Sequence, residues 1–284
     1  MRSHPRAAVL AAALVLVALA AFGWSKLHDG RALASKASAP TLAASPPILR
    51  KARADGPEFF RQAMDAGATI SLTPDRRSFS VLWSPPDPKA TIVTLHGYKS
   101  TALGDFSRWR RYAEQRGYAV LAIQWRLGSA RSAEYTPAQI YRIAADILAR
   151  RGVQDGGAIL YGFSSAAVRT YPITALDRRG KRLFGLSIAN AGGILPGLAA
   201  NRLLVDGAFG RRPLAGSRWA FYCGGRDPNV DYAGCAEMRR TAGTVRRLGG
   251  TVVLLIADPS GRHGDFISKP AAVGAALDAY AGRR

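Results

Sequence analysis

Two cysteines in 284 residues are too few for a disulfide scaffold or a four-thiolate zinc site. Acidic residues are also scarce: 19 Asp and Glu stand against 40 Lys and Arg, for a formal charge of +21. Histidine occurs four times, at His4, His28, His96 and His263. No His, Cys and carboxylate residues gather at metal-ligand spacing, so neither a metal nor another cofactor is expected. There is no internal repeat, and the 30 Gly and 16 Pro follow no collagen-like period. What is present is a globular composition. Hydrophobic residues make up 48% and charged residues 21%, which excludes a disordered chain and leaves apolar area for a full core.

The basic excess, 33 Arg among the 40, does not read as a nucleic-acid surface. Basic pairs recur from Arg76-Arg77 to Arg283-Arg284, spread along the chain. They fall mostly where helices are expected to end, where cations suit the dipole. No aromatics interleave with them as in a single-strand binder. An anionic ligand or surface is the other class of partner that such charge implies.

Arg2 and Arg6 precede an uncharged apolar run of 16 residues, Ala7 to Phe22. A positive segment before such a run is the layout of an export signal, with Ala18-Leu19-Ala20 as a small-x-small cleavage site. Adding Gly23, Trp24 and Ser25 gives 19 residues, close to the ~20 that span a bilayer. Residues 1–25 therefore read as a cleaved signal peptide or as an uncleaved anchor in the membrane. No cysteine near residue 20 offers a lipid site. Residues 26–47, rich in Ala, Ser and Pro, read as a linker, and 48–284 as one domain. That domain is expected to be periplasmic or secreted, or else anchored to the cytoplasmic membrane and facing outward.

In the body, strand and helix patterns alternate. The apolar runs predict strands at Thr69–Leu72, Phe79–Trp83, Thr91–Leu95, Ala119–Trp125, Ala158–Phe163, Leu183–Ala189, Trp219–Cys223 and Thr251–Ile256. The first two form a hairpin around Pro74-Asp75. Helices are expected at 57–66, Phe106–Arg116, 136–151, Ser165–Arg179, Tyr232–Leu248 and Ala271–Ala281. Thr136-Pro137-Ala138-Gln139 is a capping box with Pro at the first helical position. The implied fold is α/β: eight strands, mostly parallel, with helices on both faces. Residues 190–217 carry no strong helical pattern and read as a long connection, a small cap over a site.

Gly162-Phe163-Ser164-Ser165-Ala166 lies between a strand and a helix, the context of a nucleophile elbow. The tight turn needs small residues around Ser164 and leaves the Ser165 N–H free to bind an oxyanion. Ala166 stands where the usual pattern has Gly. Thr94-Leu95-His96-Gly97-Tyr98 ends another strand, and the Tyr98 N–H would be the second oxyanion donor. The His96 side chain is expected to be structural. A serine nucleophile needs a base, and the base needs an orienting carboxylate. His4 and His28 lie in the export and linker segments and His96 precedes the serine, which leaves His263. Asp227, after the seventh strand, is the preferred acid, with Asp231 and Asp258 as competitors.

With Ser164, Asp227 and His263 in that order, residues 66–284 resemble the α/β-hydrolase superfamily. The His-Gly-Tyr strand end is similar to secreted esterases of the feruloyl-esterase and polyhydroxyalkanoate-depolymerase type. The resemblance implies a serine hydrolase of small or polymeric carboxylic esters, with His263 as base, Asp227 as its orienter and an acyl-enzyme intermediate. Two other readings stay open: a non-catalytic envelope protein of the same fold that binds an anionic ligand, and an amide or thioester hydrolase. Tyr98, Trp125 and Phe163 either line the pocket mouth or belong to the core.

Cys223 and Cys235 lie 12 residues apart on either side of Asp227. In an exported chain two such thiols are expected to pair; the alternative is two buried free thiols.

Overall fold

A computed structural model describes residues 46–127 and 134–282. The expected export segment, 1–25, and the expected linker up to residue 45 lie outside the described residues. The body opens with helices α1 (Pro47–Asp55) and α2 (Pro57–Asp65) and the hairpin β1 (Thr69–Leu72) and β2 (Phe79–Trp83). The rest alternates: β3 (Thr91–Leu95), α3 (Ala102–Arg116), β4 (Ala119–Ile123), α4 (Pro137–Arg150), β5 (Ala158–Phe163) and α5 (Ala167–Arg179). It continues with β6 (Phe184–Asn190), α6 (Ala199–Val205), β7 (Arg218–Gly224), α7 (Cys235–Arg247), β8 (Thr251–Asp258) and α8 (Pro270–Ala281).

The eight strands form one sheet in the order β1-β2-β4-β3-β5-β6-β7-β8. β1 pairs with β2, and β2 with β4, antiparallel; every other pairing is parallel. Strands that face helices on both sides need apolar residues at every position, and β3 and β4 are buried throughout. Ile92, Val120 and Ile159 point to the face covered by α3 and α8, with Phe106, Trp109, Val273 and Leu277. Val93, Leu121 and Leu160 point the other way, to Ile140, Leu148 and Ile173 of α4 and α5. Trp219, Phe221, Met238 and Val245 extend that second layer under α7.

Local chemistry sets the helix starts. Thr101 caps α3 by accepting from the Gly104 N–H, so the helix starts at Ala102, four residues earlier than the apolar pattern alone suggests. Thr136 and Gln139 form the expected capping box on α4. The reading of 190–217 as helix-free is corrected: α6 occupies its middle. Its seven residues expose Leu203 and Val205, so no clean amphipathic stripe marks it in the sequence. Among the described residues, no helix is long and apolar enough to cross a membrane.

Cys223 and Cys235 form a disulfide, with Cα atoms 5.1 Å apart. It joins the end of β7 to the first residue of α7. Closing a loop of this size restricts the unfolded chain by about 3 kcal/mol. Replacing both cysteines with serine should therefore lower Tm by several degrees in a thermal scan. An unchanged Tm would mean that the bridge contributes nothing to stability.

Candidate active site

The parallel strands all end at one edge of the sheet, and the loops there carry the expected site residues. Ser164 follows β5, Asp227 follows β7, His263 follows β8 and Tyr98 follows β3. Ser164 sits in the sharp turn into α5 at φ 55°, a left-handed conformation that serine rarely adopts. Its N–H donates to the Asn190 carbonyl at 2.8 Å, which ties the turn to β6. The turn closes only because residue 162 is glycine. A Cβ there would lie 2.7 Å from the Ala166 carbonyl oxygen and from Thr170 Cγ2. Ala166 itself is fully buried and tolerated. The elbow takes up the residues just after Ser164, so α5 begins at Ala167 rather than at Ser165.

The structure brings Ser164, His263 and Asp227 together. His263 Nε2 lies 2.8 Å from Ser164 Oγ, and His263 Nδ1 lies 2.7 Å from Asp227 Oδ2. The Asp227 carboxylate is buried, and its Oδ1 accepts from the Asn229 backbone and side-chain amides at 2.9 and 3.2 Å. With Nδ1–H donating to Asp227, Nε2 is left to accept the Ser164 hydroxyl proton. The competing acids are elsewhere. Asp258 accepts from Lys269, from the Tyr222 hydroxyl and from Ser260, and Asp231 is exposed. The Tyr98 and Ser165 N–H groups donate to no other protein group among the described residues.

The three strand-end aromatics divide. Trp125 is fully buried, and its indole N–H donates to the His96 carbonyl at 2.7 Å. Phe163 packs beside His263 at 5.0 Å between ring centroids. It fits because residue 97 is glycine, whose Cβ would lie 2.6 Å from the Phe163 ring. Tyr98 is half exposed and lines a cavity of about 600 Å³ with Ser164, Ser165, Val168, Leu195 and Leu198. The segment around α6 thus reaches the site from above.

Sequence reasoning missed two groups. Tyr232, expected inside a helix, precedes α7 and lines the same cavity, its ring edge-on to His263 at 6.3 Å. Burial raises the pKa of its phenol above the usual range, and a hydrogen bond with the Ser164 side chain lowers it in part. The second group is Glu134, whose two oxygens accept from Arg126 and Arg169. Arg169 also donates to the Ser165 carbonyl at 2.7 Å. Residues 126, 134 and 169 are far apart in sequence, and arginine is too common here for either to stand out.

His96 turns inward and is 1% exposed, its Nδ1 donating to the Gly97 carbonyl at 2.9 Å. Burial pushes its pKa down to about 4; the Gly97 carbonyl opposes this, and Arg126 and Arg169 add to it. Between about pH 6.5 and 4 the unfolded chain takes up a proton at this residue that the folded chain refuses. The stability it contributes is present above that window and is lost as pH falls through it, on the order of 3 kcal/mol. From about pH 7 to 4.5, Tm should fall further for the wild type than for His96→Asn. Asp105, raised to about 6 by burial, acts in the opposite sense but equally in both proteins. Parallel falls would contradict the expectation.

No family model and no curated protein matches the sequence. Solved structures do. TT1662 from Thermus thermophilus is similar with a TM-score of 0.58 and 19% identity, over 76% of this chain and 99% of that one. A Pyrobaculum calidifontis esterase superposes with a TM-score of 0.56 and 15% identity, over 84% and 99% of the two chains. EstE5, soaked with p-nitrophenyl butyrate, gives a TM-score of 0.57 and 15% identity, over 87% and 94%. At these identities the likeness speaks for architecture. Together with the sheet order and the elbow after β5, it shows that the chain has the α/β-hydrolase fold.

Proposed function

We propose that the protein is a serine hydrolase of carboxylic esters. The observation that carries the reading is the chain of contacts Ser164–His263–Asp227, at 2.8 and 2.7 Å, with the serine on a strained elbow. Ser164 Oγ attacks the ester carbonyl while His263 Nε2 takes its proton. Asp227 holds the imidazole in the required tautomer. The tetrahedral oxyanion is met by the Tyr98 and Ser165 N–H groups, each worth about 3 kcal/mol in such sites. The carbonyl re-forms, and the alcohol leaves with the proton from His263. Water then attacks the acyl-enzyme, losing its proton to His263, and the acid departs from Ser164.

Several fold neighbours are named esterases, which favours esters over amides. A cavity of about 600 Å³ walled by Val168, Leu195 and Leu198 suits a short acyl chain or an aromatic acid, as a small molecule or as a polymer end. The Cys223–Cys235 bridge fits an oxidising compartment, periplasmic or extracellular. Labelling by a fluorophosphonate probe, together with hydrolysis of short p-nitrophenyl acyl esters, tests the reading. A protein that neither takes the label nor turns over any such ester is not a serine hydrolase.

A further inference from the structure

The mouth of the cavity carries more positive than negative charge, and the cations are ordered on aromatic rings. The Tyr98 ring has the Arg126 guanidinium at 4.3 Å and the Lys99 ammonium at 5.9 Å. The Arg169 guanidinium lies 4.2 Å from the Trp125 ring and lines the cavity itself. A single carboxylate, Glu134, sits between the two arginines. Among the described residues, three cations against one anion leave +2 on the Tyr98 side of the mouth. The Arg126, Glu134 and Arg169 side chains are only 13%, 15% and 11% exposed, so solvent and salt screen them less than surface charges. Val168, Leu195 and Leu198 supply apolar lining to the same cavity.

We propose that this cavity selects esters carrying a second, anionic group, a carboxylate above all, placed against the Lys99–Arg126–Arg169 side of its mouth. The inference rests on the serine-hydrolase reading and names the substrate class for that site. An apolar stretch of the substrate lies along Val168, Leu195 and Leu198, with its anionic end among the cations. The +21 charge of the whole chain raises the encounter rate for the same substrates, an effect that salt removes first.

The test compares two esters with the same six-carbon acyl chain, p-nitrophenyl hexanoate and the p-nitrophenyl half-ester of adipic acid. At low ionic strength kcat/KM for the adipate should exceed that for the hexanoate by about tenfold, shrinking in 0.5 M salt. Lys99 is exposed, so Lys99→Gln should fold normally and lower the adipate-to-hexanoate ratio about threefold. Glu134→Gln, which removes the opposing charge, should raise it by a similar factor. Arg246→Gln, an exposed change on α7 away from the cavity, should leave the ratio alone. A ratio near one, or a ratio that shifts equally in all three variants, overturns the inference while the hydrolase reading stands. Fluorophosphonate labelling without turnover of either ester also overturns it. Absence of both labelling and turnover removes the hydrolase reading and this inference with it.

Discussion

Replacing Ser164 with alanine is expected to bring ester turnover below about one-thousandth of the wild-type rate and to abolish fluorophosphonate labelling. The fold should survive, because the side chain hydrogen-bonds to His263 and lies at the surface of a cavity rather than in the core. Far-UV circular dichroism and a thermal scan check the fold, and burst kinetics with a p-nitrophenyl ester check the chemistry. Alanine keeps the left-handed turn in place, so lost activity reports on the hydroxyl and not on the elbow. Activity within tenfold of wild type would place the nucleophile elsewhere.

Asp227→Asn is expected to have the second largest effect, a fall in kcat of about 10³–10⁴. An amide at this position can donate to His263 Nδ1, which stabilises the tautomer with its proton on Nε2, the wrong nitrogen for accepting from serine. Asp258→Asn is the comparison. That carboxylate binds Lys269, Tyr222 and Ser260 and so steadies the loop that carries His263 without touching the imidazole. Its replacement should cost about tenfold or less, mostly through loop order. The reverse ranking would assign the orienting role to Asp258.

The sheet was legible because buried parallel strands are short, continuously apolar runs, as in Thr91–Leu95 and Ala158–Phe163. Their lateral order was not. Nothing local in Ala119–Ile123 says that it lies between β2 and β3, since that placement follows from crossover connections and from layers formed by distant helices. The Ser164 elbow could be found because strand, tight turn and helix are contiguous. Asp227 and His263 could be ranked because each follows a strand ending at the same edge. Arg126, Glu134 and Arg169 come together only through tertiary packing. Tyr232 was hidden by a boundary error of three residues, since α7 starts at Cys235 and not at Tyr232. Gly234, the N-cap of α7, has extended backbone (φ −61°, ψ 156°), which separates the turns around Tyr232 from the helix.

Because Cys223 and Cys235 are joined, residues 224–234 belong to a covalent ring. Arg226, Pro228, Val230 and Asp231 are exposed on it, the kind of surface where proteases nick a chain. A single cut there does not release a fragment: the piece ending at β7 and the piece beginning near α7 remain one molecule. The cut ends also stay within a few residues of Asp227, so the two halves are held at a high effective concentration and need no encounter to re-form the site. Nicked protein should therefore run as one species without reductant and as two with it.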